Sequence, residues 1–230
     1  MHKFLENLQR LSSEVSRETW EKLITYSQWV MEWNQRINLS GAKTVEEFFE
    51  DQVLDCLAAG ISIPRQEIWI DIGSGSGLPG IVWALLFPQS KFYLVEAKEK
   101  KCSFLYRVVS GLKIENVKVI NQRFENVKLS DFNSLTQQSI HCVSRGTAAP
   151  IDLMKMAQNS KTIWNDWFIF ASQQTTQEFL SEARKFNFEM QIISYSKFFL
   201  QPCDKGLISQ GILCRMTPAS VASLETHTKK

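Results

Sequence analysis

The sequence has no long apolar run, few histidines and an odd number of scattered cysteines. Its longest unbroken apolar stretch is residues 81–87, far below the roughly 20 residues that span a bilayer. The first ten residues, MHKFLENLQR, are charged throughout, so a secretory signal is not expected. The three histidines and five cysteines, without a C-x-x-C pair, favour neither a zinc site nor a disulfide framework. We therefore expect no metal and no membrane partner, and a location in the reducing cytoplasm.

Charge is nearly balanced over the whole chain but unevenly distributed along it. The net charge is +2, whereas residues 91–128 contain nine basic and four acidic residues, a net +5 that leaves −3 for the remainder. A basic segment of this kind indicates an anionic partner, although a solvated helix face would have the same composition.

Two patterns divide the 230 residues. Residues 1–60 have a helical apolar rhythm, with a helix cap predicted at Ser16 and a capping box at Thr44–Glu47. From residue 67, strands predicted at 67–72, 91–95, 116–121, 140–144 and 166–171 alternate with helices near 79–87, 98–110, 150–159 and 174–186, and two further strands follow at 189–199 and 207–216. This alternation predicts an α/β fold with a doubly wound, mostly parallel sheet that binds its ligand at the carboxyl ends of the strands.

The stretch IDIGSGSGLPG, residues 70–80, is typical of a strand that enters a glycine loop and then a helix. Two cofactor patterns fit it. Gly75, Gly77 and Gly80 match the dinucleotide pattern G-x-G-x-x-G. Gly73, Gly75 and Gly77, preceded by an aspartate, match the pattern found around S-adenosylmethionine.

Charge favours S-adenosylmethionine over a dinucleotide at this loop. A pyrophosphate prefers amide donors with no carboxylate nearby, whereas the ammonium and sulfonium of S-adenosylmethionine are attracted to one, and Asp71 stands at the strand end. Glu96 ends the next strand and suits the ribose hydroxyls of either cofactor. An NAD-dependent oxidoreductase stays as an alternative.

Five stretches together resemble one protein family in their order and spacing. They are WNQRINLS (33–40), DIGSGSGLPG (71–80), LVEAKEKKCSFL (94–105), NVKVINQRFE (116–125) and VSRG (143–146). The family is the ribosomal RNA small-subunit methyltransferase G family, also called glucose-inhibited division protein B. The resemblance covers about residues 15–215 and implies a class I S-adenosylmethionine-dependent methyltransferase fold. The expected organisation is an N-terminal helical appendage (1–62), a Rossmann-like methyltransferase domain (63–220) and a tail (221–230).

The resemblance also implies an activity and a set of ligand contacts. The implied reaction is methylation of N7 of a guanine in the small-subunit (16S) ribosomal RNA, with that RNA or the assembled small subunit as partner. The residues expected to bind S-adenosylmethionine are Gly73, Gly75, Leu78, Glu96, Phe124, Glu125 and Arg145, of which Gly75 and Glu96 come from the loop and strand pattern. We expect a monomer.

The chain departs from the family pattern in three places. Asp51 and Gln52 stand where the family usually has a basic residue and a histidine, Ala171 and Ser172 follow the fifth strand in place of Lys-Gly, and Gly146 replaces an alanine after Arg145. Because these departures concern the RNA-facing half, a non-catalytic RNA-binding assembly factor with the same fold stays as a further alternative.

The chemistry of guanine N7 explains why no catalytic residue is assigned. N7 has an in-plane lone pair and no proton, so the enzyme has to align the donor and acceptor and needs no general base. An amine acceptor would call for an Asn/Asp-Pro-Pro-aromatic motif, but residues 144–147 read Ser-Arg-Gly-Thr. A cytosine C5 acceptor would need a cysteine nucleophile, for which Cys203 in a late loop is the candidate. Arg145 suits either the cofactor carboxylate or guanine O6, and the sequence leaves both open.

Basic residues near the cofactor strands are interpreted as RNA contacts. Lys100 and Lys101 follow Glu96, and together with Arg123 they are predicted to bind RNA phosphates. Because the sulfonium is itself cationic, we expect the charges of Lys100 and Lys101 to point away from the cofactor. A solvated helix end is the alternative.

Overall fold

The computed structural model describes residues 15–132, 140–160, 164–197 and 210–219. The predicted tail, the first 14 residues and Cys203 lie outside these ranges, as do parts of the two last predicted strands.

A single seven-stranded sheet organises the chain. Its strands are β1 (Ile68–Ile72), β2 (Lys91–Glu96), β3 (Val117–Asn121), β4 (Ile140–Ser144), β5 (Asp166–Ala171), β6 (Phe188–Ser196) and β7 (Gln210–Pro218). The order across the sheet is β3-β2-β1-β4-β5-β7-β6. The first five strands are parallel, and β7 runs antiparallel between β5 and β6. The doubly wound, mostly parallel sheet is confirmed, and its strand order reverses between β1 and β4, where such folds bind ligands.

Helices cover both faces of the sheet. They are α1 (Arg17–Asn34), α2 (Val45–Phe48), α3 (Leu54–Ile61), α4 (Gly80–Leu86), α5 (Glu99–Gly111), α6 (Pro150–Ser160) and α7 (Gln173–Ala183). A π-helical turn, Phe49–Val53, joins α2 to α3. Each predicted helix from residue 79 onward is present within a few residues of its expected bounds. No helix among the described ranges combines the length and apolar character needed to cross a membrane.

The two faces of the sheet carry separate hydrophobic clusters. Every residue of β1 is buried, as expected for a parallel strand covered on both sides. One cluster joins the N-terminal helices to the sheet, through buried side chains that include Trp20 and Tyr26 of α1 and the pair Trp69 and Trp83, whose rings are 4.9 Å apart. The other cluster lies beneath α6 and α7. The helical appendage is therefore packed on the sheet by its own apolar face.

Local hydrogen bonds explain where the N-terminal helices begin. Ser16 Oγ accepts from Thr19 N at 3.1 Å, which confirms the predicted cap. Thr44 Oγ1 accepts from Glu47 N at 3.1 Å, but the Glu47 carboxylate accepts from Lys43 N at 2.8 Å. Thr44 therefore caps the helix as predicted. The second bond of the predicted capping box differs, because Glu47 accepts from the backbone N–H of Lys43 and not from that of Thr44.

Candidate cofactor and RNA site

The glycine loop follows β1, beside the point where the strand order reverses, and is hydrogen-bonded to the end of β2. Gly73 N and Ser74 N donate to Val95 O at 2.9 and 3.1 Å. Gly73, Gly75 and Gly77 have φ of +68°, +58° and +102°, a region that side-chain-bearing residues rarely adopt. A Cβ on Gly73 would lie 2.4 Å from Thr147 Cγ2, so the loop and the segment after β4 are in direct contact.

Glu96 ends β2 and connects the glycine loop to the start of α5. Its carboxylate is buried, accepts from Gly75 N at 3.0 Å and accepts from Lys98 N at 2.8 Å. Asn121, at the end of β3, donates its side-chain amide to Glu96 O at 3.0 Å. This strand end is therefore held from both sides next to the loop, and the ribose contact of Glu96 stays a prediction.

Asp71 lies beneath the loop instead of facing a ligand across it. It is fully buried, and its Oδ2 accepts from Gly80 N at 3.1 Å, which anchors the first turn of α4. Burial raises the pKa of this carboxyl to about 7. Its Oδ1 is buried and has no hydrogen-bond partner among the described residues. The sequence argument took Asp71 as a carboxylate that attracts the cationic cofactor, and the structure shows a buried carboxyl with one oxygen without a hydrogen-bond partner under the loop.

The predicted adenine contacts lie beyond β3. Phe124 is buried in a 3₁₀ turn, Phe124–Asn126, with its ring 5.6 Å from that of Trp167. Glu125 and Arg123 beside it are exposed. Leu78, on the other side of the glycine loop, is buried. The structure thus arranges these residues along the carboxyl edge from β3 to β1.

Arg145 is engaged by the N-terminal helices. Its Nη1 donates to Gln52 Oε1 at 3.4 Å, and its Nη2 lies 3.8 Å from Asp55 Oδ2. Gln52, on the π-helical turn, also donates to Ser40 Oγ at 2.7 Å. The guanidinium carbon is 5.9 Å from the ring centroid of Phe170. Sequence reasoning missed Asp55, although a lone carboxylate in the apolar run VLDCLAAG was a signal.

The two predicted RNA-binding lysines, Lys100 and Lys101, differ in their exposure to solvent and in the direction of their side chains. Lys100 is exposed on α5. Lys101 is half-buried, and its Nζ lies 3.7 Å from where a Cβ on Gly75 would be. The ammonium of Lys101 therefore lies against the glycine loop, contrary to the expectation that both charges point away from it.

Among the described residues, no group of histidine, cysteine and acidic side chains is placed to hold a metal ion. Cys56, Cys102, Cys142 and Cys214 are free and buried. Burial raises the pKa of the Cys102 thiol to about 11. Cys203, the candidate nucleophile for a cytosine acceptor, lies outside the described ranges.

The sheet order, the glycine loop at its switch point and the acidic residue ending β2 define a class I S-adenosylmethionine-dependent methyltransferase fold. Solved structures agree on the fold. The human methyltransferase 10 domain containing protein matches with a TM-score of 0.52 at 10% identity, over 87% of this chain and 97% of that chain. The delta-N METTL16 MTase domain matches with a TM-score of 0.53 at 10% identity, over 84% and 94%.

Sequence comparison identifies the family. The family described as rRNA small subunit methyltransferase G matches residues 19–206, and the chain belongs to it. The ribosomal RNA small subunit methyltransferase G of Dichelobacter nodosus is 35% identical over 76% of this chain and 87% of its own length. The protein of the same name from Brachyspira hyodysenteriae is 38% identical over 50% of this chain and 60% of its own length. Membership confirms the S-adenosylmethionine interpretation of the loop over the dinucleotide one.

The glycines and the hydrogen-bond acceptors at the loop fit S-adenosylmethionine. Glycines without Cβ atoms allow close backbone approach, and at Gly73 an added Cβ would clash with Thr147 Cγ2. The Glu96 carboxylate can accept from ribose hydroxyls, and the unpartnered Oδ1 of Asp71 adds a buried acceptor below the loop. Acceptors of this kind suit hydroxyl and ammonium donors and disfavour a pyrophosphate.

Proposed function

We propose that this protein transfers a methyl group from S-adenosylmethionine to N7 of a guanine in the small-subunit (16S) ribosomal RNA. The observation that carries the proposal is the segment after β4. Thr147 Oγ1 donates to Ile72 O at 2.8 Å, so Ser-Arg-Gly-Thr (144–147) adjoins the cofactor loop directly. This segment offers the cation of Arg145 and contains no carboxylate or histidine that could act as a general base, which suits an acceptor atom that has no proton to lose.

Cofactor binding is assigned to the residues around the glycine loop. We propose that the backbones of Gly73, Gly75 and Leu78 hold the methionine part, because loop amides suit its carboxylate. Glu96 accepts from the ribose hydroxyls. When bound, S-adenosylmethionine supplies an electrophilic methyl group on a sulfonium.

Phe124 and Glu125 contact the adenine in this proposal. Of the two roles that the sequence leaves open for Arg145, we assign it the contact with the guanine acceptor and not the contact with the cofactor carboxylate. The reason is that Asp55 and Gln52 already engage its guanidinium.

Catalysis then depends on placement. The lone pair of N7 must face the methyl group in line with the sulfonium, and a well-oriented pair of reactants gains rate without acid or base assistance. N7 has to stay free of hydrogen bonds to react, so donors that recognise guanine should reach O6 and not N7. Because an A-form helix hides N7 in its deep groove, we propose that the target guanine lies in a loop or is flipped out.

The proposed partner is the small-subunit RNA or the assembled subunit, in the cytoplasm, with the protein acting as a monomer. Exposed Lys100 and Arg123 near the cofactor edge supply positive charge for the phosphates.

The product identifies the activity. Nucleoside mass spectrometry of small-subunit RNA from cells that lack this protein should show one N7-methylguanosine missing, and the purified protein with S-adenosylmethionine should restore it. Loss of another modified nucleoside would refute the assigned target. RNA binding without turnover would favour the assembly-factor alternative, and titration with NAD tests the oxidoreductase one.

A further inference from the structure

Asp55 is a buried carboxylate that two cations share. Its Oδ1 lies 3.1 Å from Lys197 Nζ and accepts from Tyr195 OH at 2.9 Å, while its Oδ2 lies 3.8 Å from Arg145 Nη2. Its side chain is 8% exposed, whereas those of Arg145 and Lys197 are 25% and 32% exposed. The carboxylate therefore lies below the cations, and the cations are the part open to solvent.

The cluster carries an excess positive charge. Within the described ranges, Asp55 is the carboxylate found within 4.0 Å of Arg145 and Lys197, so two positive charges meet one negative charge. An exposed ion pair contributes little stability, about 0–1 kcal/mol, and burying a carboxylate is costly. An arrangement that buries the acid and leaves both cations accessible is poorly explained by stability alone.

The scaffold fixes Asp55 in its position from several sides. Trp83 Nε1 donates to Cys56 O at 2.7 Å, which holds α3 against α4. The π-helical turn before α3 presents Gln52 to Arg145, and such turns occur often at functional sites. The groups that meet at Asp55 thus come from α3, from the end of β4 and from the end of β6.

The cluster lies on the opposite side of β1 from the proposed ribose and adenine contacts. Glu96 on β2 and Phe124 after β3 flank one side of β1, whereas Arg145 and Lys197 follow β4 and β6 on the other. Strands are about 4.8 Å apart, so β6, four strands from β1, begins roughly 19 Å away from it. Lys197 therefore reaches Asp55 from the side of β1 opposite to Glu96 and Phe124. If those two residues bind the adenosine half of the cofactor, as proposed, this is the side left for the RNA acceptor.

We propose that Asp55 is a positioning residue that holds Arg145 and Lys197 side by side as an anion subsite for one phosphate of the RNA backbone next to the target guanine. The proposal rests on the proposed function, since the phosphate belongs to the RNA substrate. Two cations at one point suit a phosphate, and fixing that phosphate fixes the guanine attached to it.

The first test is the salt dependence of binding to purified small-subunit RNA. Lys197→Gln should lower the slope of log affinity against log salt by about 0.7–0.9, the amount for one phosphate contact. The matched control is Lys185→Gln. Lys185 is exposed, is paired with Glu182 and lies in the turn just before β6, at the amino end of that strand, whereas Lys197 follows its carboxyl end. The slope of Lys185→Gln should equal that of the wild type. The subsite is overturned if Lys197→Gln leaves the salt slope of RNA binding unaltered. It is also overturned if this variant loses S-adenosylmethionine affinity and keeps its RNA affinity.

The second test separates positioning from a structural role. Asp55→Asn keeps an acceptor for Tyr195 and removes the charge that aligns the cations, so single-turnover methylation at saturating RNA should slow about tenfold or more. S-adenosylmethionine affinity, measured by titration, should stay within about twofold. Because Asp55 acts through Lys197, the double variant should be no slower than the slower single variant. The proposal is overturned if the rate losses of the two single variants multiply in the double variant. It is also overturned if Asp55→Asn has a lowered unfolding midpoint and an unchanged methylation rate. If the wild type neither binds nor methylates the RNA, the proposed function itself fails, and this inference with it.

Discussion

Burial of Asp71 should make the folded protein less stable as the pH rises from about 4 to about 7. The carboxyl is fully buried and burial raises its pKa from 3.8 to about 7. Between those pH values the folded state keeps a proton that the unfolded state has lost. The contribution of Asp71 to the free energy of unfolding therefore falls as the pH rises from about 4 to about 7 and is level above that. At 1.36 kcal/mol per pKa unit, the total is about 4 kcal/mol.

Asp71→Asn isolates this effect because asparagine has nearly the same shape and does not titrate. Its side-chain oxygen can still accept from Gly80 N, while its amide brings a buried donor that costs about 1–3 kcal/mol at every pH. All other titrating groups cancel in the difference between the two proteins. The stability of Asp71→Asn relative to wild type should thus increase by about 4 kcal/mol from pH 4 to pH 8.

The assay is urea unfolding of both proteins at half-unit pH intervals, with the free energy of unfolding extrapolated to water. The slope with urea should match in the two proteins, so that the difference reports stability alone. Curves that stay parallel from pH 4 to pH 8 would refute the reasoning, because they would mean that Asp71 titrates equally in the folded and unfolded states.

Three further predictions concern the loop and the RNA surface. Glu96→Ala should weaken S-adenosylmethionine binding by roughly 1.5–3 kcal/mol in titration calorimetry, with Glu96→Gln less affected; equal affinity in Glu96→Ala and wild type would remove Glu96 from the cofactor site. Lys100→Glu should lower the salt slope of RNA binding by about 0.7–0.9 or more, whereas Lys113→Glu, just past the end of α5, should leave it unchanged; identical slopes would make Lys100 a solvated helix end. Gly73→Ala should destabilise the fold by about 1–2 kcal/mol or more in thermal unfolding, because φ is +68° there and the new Cβ would lie 2.4 Å from Thr147 Cγ2. Adding Thr147→Ser should recover part of that loss, and no recovery would place the strain elsewhere.

The sequence by itself determined the elements and the loop, because those depend on neighbours along the chain. Alternating apolar strands and helices predicted the doubly wound sheet, since each element type has its own period. The glycines at 73, 75 and 77 predicted a cofactor loop, and the structure gives all three a positive φ, which glycine adopts without steric cost. Ser16 predicted its helix start, since a side-chain oxygen three residues before an amide can reach it.

Only the tertiary structure decided which distant residues meet. Tyr195 and Asp55 are 140 residues apart in sequence and share a hydrogen bond because β7 enters between β5 and β6 and brings the end of β6 to the same edge as the glycine loop. The burial of Asp71 and the direction of Lys101 depend likewise on how α4 and α5 pack against the sheet. Such contacts follow from the order of crossovers and from side-chain packing, and neither leaves a periodic signal in the sequence.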